Sequence, residues 1–262
     1  MNEFTLSTWI GISIVIVIMG MSKGGLPIAG VALPLLVLLW PEQGQAARSA
    51  VSFMLPLLCA MDLVGVMLYR GKPDWSHIRK LLPATFAGIV VASIFFVSDK
   101  GISVSDQTLK LVIGALGLMF TGWNFWGKKR FAPNQTLIRS GTNRARVYGF
   151  FGGFTSTIAH AAGPVMQMYF LGTGLHKTQF AATTIYFFVF LNAVKLIPFA
   201  LLGRFSHEQL VMDLKMLPLI PFGVLLGFFT VRIMKEHHYT HFIHITLFLT
   251  SSLLIYRALT GH

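Results

Sequence analysis

Charged side chains are scarce in this sequence, and acidic ones most of all. Asp and Glu together number nine in 262 residues, and all charged residues make up 11% of the chain. Soluble domains carry about 25% charged residues, so the composition excludes an ordinary soluble domain. The mean hydropathy is +0.68, and runs of about twenty apolar residues, long enough for a helix to cross a membrane, recur along nearly the whole sequence. We therefore predict a polytopic membrane protein with the lipid bilayer as its surroundings.

Cysteine and common catalytic motifs are also rare or missing. Cys59 is the single cysteine, which rules out an internal disulfide. The sequence has no P-loop, and His207-Glu208 lacks the second histidine of a zinc-protease motif. We therefore expect no cofactor and no enzymatic activity, and an ion gradient rather than a nucleotide as the source of energy for any uphill process.

Basic residues outnumber acidic ones, with 21 Lys and Arg against nine acids and a formal net charge of +12. In a soluble protein this excess would indicate a nucleic-acid partner. Here most basic residues lie between apolar segments, which is typical of the positive-inside bias, so we expect no nucleic-acid partner. Residues 128–146 contain six basic residues and no acid, and we predict that they form a cytoplasmic loop.

The apolar sequence divides into eight segments, two of which are interrupted by glycine, proline and polar residues. The segments lie at about 5–40, 44–69, 80–98, 108–127, 147–172, 178–203, 215–233 and 239–257. The interruptions lie in the first and fifth segments. They leave backbone groups and helix ends exposed at membrane depth, where these groups can hold a charged solute. We predict an all-α membrane protein of about eight membrane segments, with segments 1 and 5 broken or re-entrant. Tyr69, at the end of segment 2, is expected at the membrane interface.

The order of glycines, prolines and charges indicates an internal duplication. A shift of about 133 positions places Lys195 on Asp62 and aligns the two interruptions. We therefore divide the chain into a first transmembrane repeat, residues 1–127, a basic linker, residues 128–146, and a second transmembrane repeat, residues 147–262. Loop charges are equally compatible with parallel and inverted repeats, so the orientation of the two halves stays open.

The first interruption reads Ser22-Lys23-Gly24-Gly25. Lys23 has two interpretations: its side chain reaches a nearby membrane surface, or it lies at a chain reversal beside free N–H groups that form an anion-binding nest. The glycines favour the second, since glycine lets the backbone approach a ligand closely. Lys23, Gly24 and Gly25 are therefore candidate substrate-binding residues.

The second interruption is rich in hydrogen-bond donors, and its candidate binding residues are Thr155, Ser156, His160 and Gln167. The helix after Gly163-Pro164 can point its N-terminus at an anion. Hydroxyl, amide and imidazole groups at such a break either bind an oxyanion or satisfy backbone groups that the break leaves unpaired. We predict that these four side chains contribute to substrate binding.

Lys195 lies deep within an apolar segment. A lysine at the membrane centre costs about 3 kcal/mol on insertion scales, so it must face protein or water and have a partner. Asn192 and Thr184 fall on the same helical face. Lys195 is interpreted as a cationic anchor for an anion, with these two as hydrogen-bond donors, or as a structural ion pair with Asp62. Both interpretations of Lys195 hold if the substrate competes with Asp62 for the Lys195 ammonium. Asp62 in turn is either a proton-coupling residue or part of a charge pair that does not change protonation.

Four histidines near the start of the last segment follow helical spacing: His237, His238, His241 and His244. Such spacing is found in metal sites, and the alternative function that it supports is an ion channel or a metal-cation carrier. Histidine is also an ordinary residue at a membrane interface, and we expect no physiological metal site here.

Several short runs occur in the order and spacing of a known membrane family. In the first half they are Gly20-Met21-Ser22-Lys23-Gly24-Gly25, Asp62-Leu63-Val64 and Leu81-Leu82-Pro83, and in the second Gly153-Phe154-Thr155-Ser156, Ala159-His160-Ala161-Ala162-Gly163-Pro164 and Asn192 to Lys195. Together these runs resemble the sulfite exporter TauE/SafE family of bacterial membrane carriers. The resemblance implies a secondary transporter of the bacterial inner membrane for a small anion, such as sulfite, sulfoacetate or a related organosulfonate or organic acid. It also implies export coupled to an ion gradient. The oligomeric state stays open, and a homodimer is one assembly that the sequence allows.

Overall fold

The structure is a computed structural model that describes residues 5–29, 46–97 and 141–260 and the single positions 32, 35, 36, 39, 40, 111, 115, 118 and 122. Over these residues the chain forms nine α-helices and no strand, which confirms the predicted all-α class. The helices are α1 (Leu6–Lys23), α2 (Ala46–Leu68), α3 (Trp75–Val97), α4 (Thr142–Ala159), α5 (Ala162–Leu171), α6 (Lys177–Leu201), α7 (His207–Met216), α8 (Leu219–Ile233) and α9 (Glu236–Thr260).

Five of the described helices are long and apolar enough to cross a bilayer. The qualifying stretches are Leu6–Lys23, Ser49–Leu68, Trp75–Ile94, Lys177–Leu201 and Glu236–Arg257. A sixth candidate is the pair α7 and α8, which bends by 51° where Pro218 precedes the first residue of α8. Several membrane crossings are therefore supported. The number eight stays a prediction, because segment 4 and most of the 128–146 linker lie outside the described residues.

The outer faces of these helices are apolar. Leu63 on α2, Ile197 and Leu201 on α6 and Ile233 on α8 are all exposed, the last two with 83% of their surface accessible. A helix at the surface of a water-soluble protein turns a polar face outwards. Large aliphatic side chains in these positions instead suit contact with lipid tails.

The chain separates into two compact units that cut across the sequence halves. Unit 1 comprises Met1–Ile78 and Thr178–Met234, and unit 2 comprises Arg79–Lys177 and Lys235–His262. Each unit therefore takes helices from both predicted repeats. The duplication itself is a separate matter, and it stays a prediction.

In unit 1, α1 packs along α8 through glycines that bring the two backbones together. A Cβ added to Gly20 would lie 3.0 Å from the Cα of Gly223, and one added to Gly24 would lie 2.8 Å from the Cα of Gly227. Small residues permit this close approach of membrane helices, which associate by van der Waals packing. The remaining core of unit 1 is apolar and includes Ile16 and Met54.

Unit 2 repeats this arrangement with the corresponding residues. Gly153 of α4 lies 133 positions after Gly20, and Gly223 lies 135 positions after Gly88 of α3. A Cβ on Gly88 would meet the backbone of α4, and one on Gly153 would meet the backbone of α3. In both units, therefore, the helix that ends at an interruption packs through glycine against a helix from the other half of the sequence.

Candidate functional site

The first interruption is a true helix end. The α1 helix stops at Lys23, and Gly25 adopts a left-handed conformation with φ of 108°. The Gly25 amide donates to the carbonyl of Ser22 at 3.1 Å, and the Leu26 amide donates to that of Met21 at 3.2 Å. These bonds form a Schellman motif, in which glycine is favoured because a side chain strains the left-handed backbone. The predicted break is confirmed at this position.

The glycines of this break serve packing and helix termination. The Gly24 amide donates to the carbonyl of Gly20 at 2.8 Å, so the amides of Gly24 and Gly25 both close the helix end. The expectation of free N–H groups forming an anion nest at these two positions is therefore wrong for this conformation. A side chain on Gly24 would meet the backbone of α8, and one on Gly25 would lie 2.7 Å from the hydroxyl of Tyr69.

The same stretch fits the Gly-x-Ser-x-Gly pattern through Gly20, Ser22 and Gly24. In hydrolases that serine sits on a sharp turn between a strand and a helix. Ser22 instead lies in the last turn of α1 and is followed by the helix cap. The pattern here is therefore not a nucleophile elbow.

Lys23 is buried, with 6% of its surface exposed, and its side chain does not reach a membrane surface. Its Nζ lies 2.7 Å from Oδ1 of Asp62 and 4.4 Å from the centre of the Phe188 ring. The ammonium is thus held by one carboxylate and one aromatic face, and a cation–π contact of this kind gains strength where water is excluded.

Asp62 is 1% exposed and has both carboxylate oxygens engaged. Oδ1 is paired with Lys23, and Oδ2 accepts a hydrogen bond of 2.6 Å from Nδ2 of Asn192. The structure pairs Asp62 with Lys23, because the end of α1 delivers this lysine to the carboxylate. Asp62 and Lys195 also interact electrostatically, so the ion pair expected between them stays a prediction.

Lys195 is fully buried in the same unit. It lies within electrostatic range of Lys23 and Asp62. We call Lys23, Asp62, Asn192 and Lys195 the lysine–aspartate cluster. It brings together three widely separated parts of the sequence, the end of α1, the second half of α2 and the second half of α6.

One face of α6 carries two members of the cluster, Asn192 and Lys195, and continues towards the start of the helix through Phe188 and Thr184. Thr184, Phe188, Asn192 and Lys195 are spaced by four, four and three residues, so they lie on one side of the helix. The Thr184 hydroxyl is buried and has no hydrogen-bond partner among the residues that the structure describes. Sequence reasoning identified three of these four. It missed Phe188, although its spacing from Thr184 and Asn192 was the available signal.

Tyr69 connects α2 to the first break, and sequence reasoning placed it elsewhere. It is 1% exposed rather than interfacial, and its hydroxyl donates a 2.8 Å hydrogen bond to the carbonyl of Gly24. Burial raises the pKa of the Tyr69 phenol, so the group stays protonated as a donor. Gly65, one turn earlier, lets α2 approach α1, since a Cβ there would lie 2.9 Å from the Lys23 carbonyl oxygen.

The second interruption is also a helix end, and it lies in unit 2. The α4 helix stops at Ala159, and His160 follows in the left-handed conformation with φ of 47°, which is uncommon for a residue other than glycine. The Thr155 hydroxyl donates to the carbonyl of Phe151 at 2.7 Å. That bond joins the hydroxyl to a carbonyl one turn earlier inside α4, whereas the amides of His160 and Ala161 at the break donate to the carbonyls of Ser156 and Thr155. Ser156 and Gln167 are buried, and His160 is half-buried.

The predicted binding residues thus fall into two groups by unit. Unit 1 contains Lys23, Gly24, Gly25, Asp62, Thr184, Asn192 and Lys195. Unit 2 contains Thr155, Ser156, His160 and Gln167. The structure brings the lysine–aspartate cluster together within unit 1.

The four histidines of α9 do not assemble a metal centre. Among the described residues, no group of three His, Cys, Asp or Glu side chains is arranged to hold a metal ion. Nδ1 of His241 and Nδ1 of His244 each lie 2.7 Å from a carbonyl oxygen one turn earlier in α9. The structure gives the metal-carrier alternative no support.

Buried ionic groups beside a helix break, in a protein with several candidate membrane-spanning helices, are typical of membrane transport proteins. The family model described as sulfite exporter TauE/SafE matches residues 10–254, nearly the whole chain. The chain belongs to the sulfite exporter TauE/SafE family, which confirms the resemblance seen in the sequence and makes it a member of a family of membrane transporters that export sulfite and related anions. No curated protein and no solved structure matched the chain.

Proposed function

We propose that the chain is a secondary transporter that exports a small anion, sulfite or a sulfonate such as sulfoacetate, across the bacterial inner membrane. We further propose that the anion binds at the lysine–aspartate cluster. The observation that carries this proposal is the composition of the cluster, which holds two lysines and one aspartate, all buried. The family match supports an anion as the transported species.

The charge of the cluster favours an anionic ligand. With both ammonium groups protonated, Lys23 and Lys195 exceed the charge of Asp62 by one. Charge buried away from water is unfavourable unless it is balanced and hydrogen-bonded. A bound monoanion such as hydrogen sulfite balances the cluster, so we infer that the protein is stabilised when such an anion is present.

The geometry of a sulfite or sulfonate group suits the donors available. Each has three oxygens on one sulfur, and the cluster can offer the ammonium groups of Lys23 and Lys195. The buried hydroxyl of Thr184, which has no hydrogen-bond partner among the described residues, supplies a third donor. Asn192 stays bonded to Asp62 and holds that carboxylate in place.

Asp62 is the proposed coupling residue, because anion and carboxylate compete for Lys23. An anion that takes Lys23 displaces Oδ1 of Asp62 from its 2.7 Å contact. Protonation of Asp62 would remove this competition, so proton and anion would bind together and move in the same direction. Export would then follow the outward gradient of the anion, with a proton accompanying it.

For the second interruption we keep the sequence-based proposal that His160, Ser156 and Gln167 contact substrate. Thr155 is a weaker candidate, because its hydroxyl proton is already donated to Phe151. The glycine contacts that recur at Gly20 and Gly153 support the proposed duplication of the chain.

The test is transport by purified protein in lipid vesicles. Vesicles loaded with labelled sulfite, sulfoacetate, sulfate, taurine or a simple carboxylate should lose sulfite or sulfoacetate faster than protein-free vesicles do. A pH-sensitive dye should report protons moving with the anion. Release of none of these anions would contradict the proposed function, and release without proton movement would contradict the role of Asp62.

A further inference from the structure

A cavity of about 250 Å³ lies within unit 1, beside the first break. Its lining residues are Tyr69, Lys72, Thr178, Phe228, Val231 and Arg232. A water molecule in the liquid occupies about 30 Å³, so the cavity has room for a small oxyanion and several waters.

The polar groups that line this cavity favour negative charge. Lys72 lies in the exposed turn after α2, and Arg232 lies in the last turn of α8. Thr178 belongs to the first turn of α6, at the positive end of the helix dipole. None of the six lining residues is acidic. Cationic groups around a concave surface raise the local concentration of anions.

Two aromatic residues lie at both the cavity and the first break. Tyr69 and Phe228 both line the cavity, and their rings meet edge to face with centroids 5.1 Å apart. Each also contacts the break, because the Tyr69 hydroxyl donates to the Gly24 carbonyl and a Cβ on Gly24 would lie 2.6 Å from the Phe228 amide nitrogen. Gly24 directly follows Lys23, so this aromatic pair joins the cavity wall to the end of α1 that carries Lys23.

We propose that Lys72 and Arg232 form a second anion site, a vestibule through which the transported anion passes on its way to or from the lysine–aspartate cluster. The Tyr69–Phe228 pair is the barrier between the vestibule and the cluster. This inference rests on the proposed function, since it assigns the vestibule to the same anion.

The test compares two double variants in the full-length protein reconstituted in vesicles. Lys72→Gln with Arg232→Gln removes both vestibule charges. Arg79→Gln with Lys80→Gln is the matched control, because it removes one arginine and one lysine close to Lys72 in the sequence that do not line the cavity. The readout is the initial rate of labelled sulfite transport below saturation, measured from low to high ionic strength.

The vestibule variant should transport on the order of tenfold more slowly at low ionic strength, and the difference should shrink as salt screens the charges. Its rate at saturating sulfite should equal that of wild type, and the control should match wild type throughout. Lys72→Glu with Arg232→Glu should slow transport further. If both vestibule variants transport sulfite at the rate of the control at every ionic strength, the vestibule proposal is refuted. In that case, transport of sulfite by the wild-type protein would still support the proposed function. Wild-type protein that transports no sulfite would refute the proposed function itself.

Discussion

Asp62→Asn removes the carboxylate of the lysine–aspartate cluster and leaves Lys23 near Lys195. In the wild-type protein Lys23 lies 2.7 Å from Asp62, and both are buried. Breaking a buried pair by removing one partner costs about 3–5 kcal/mol. Since the Lys23 ammonium would keep the Phe188 ring but lose its carboxylate, we expect a loss near the upper end, about 5 kcal/mol. Lys23→Gln should cost less, about 3 kcal/mol, because Asp62 keeps its bond to Asn192.

Added anion should rescue the Asp62→Asn protein. An anion bound between the two lysines replaces the missing negative charge, and a ligand that prefers the folded state raises its apparent stability. Thermal unfolding in detergent, with and without sulfite, should therefore show a larger stabilisation in Asp62→Asn than in wild type. The control is Asp74→Asn, because Asp74 lies outside the cluster and accepts from the first amides of α3, a capping role that asparagine also fills. An Asp62→Asn protein as stable as wild type and indifferent to sulfite would refute the reasoning.

Three further sets of substitutions test Lys195, the glycine packing of α1 and the α9 histidines. Lys195→Ala should abolish sulfite binding in a thermal-shift titration, although the protein still inserts into the membrane. Lys195→Arg should weaken sulfite binding, because a planar guanidinium differs in shape and hydration from an ammonium. Unchanged sulfite affinity in both variants would show that Lys195 is not part of the site. Gly24→Ala should lower the unfolding free energy by about 1–3 kcal/mol, because the added methyl meets the backbone of α8. Gly122→Ala should not destabilise the protein, because an added Cβ there meets no atom of the described residues within 4 Å and alanine favours a helix over glycine. Equal stability of the Gly24 and Gly122 variants would contradict the packing argument. Replacing the four α9 histidines by glutamine should leave sulfite transport at the wild-type rate, and loss of transport that added zinc restores would reverse our interpretation of His237, His238, His241 and His244.

Helix positions were predictable because bilayer thickness and apolar composition set them. The segment predicted at 44–69 is α2, Ala46–Leu68, and that predicted at 178–203 is α6, Lys177–Leu201. Both interruptions were predictable for a similar local reason, since glycine and proline disfavour the interior of a helix. The bend between α7 and α8 was not predicted, and segment 215–233 starts before it.

Contacts within the cluster depend on tertiary packing, and the sequence pattern identified its members without their partners. The repeat alignment placed Lys195 opposite Asp62, whereas the structure pairs Asp62 with Lys23. That pairing follows from how closely α2 approaches the end of α1 at Gly65, and no local pattern encodes this approach. Tyr69 was assigned to the interface because of its place at a segment end. Its spacing of seven residues from Asp62 puts it on the same helical face, which would have indicated a buried position.

The most direct measurement is a crystal structure of the protein soaked with selenite, the heavier analogue of sulfite, with anomalous scattering used to find selenium. We expect the strongest peak within hydrogen-bonding distance of the ammonium groups of Lys23 and Lys195. A protein that binds selenite with its strongest peak elsewhere, and with Lys23 still paired to Asp62, would contradict the proposal that the lysine–aspartate cluster binds the transported anion.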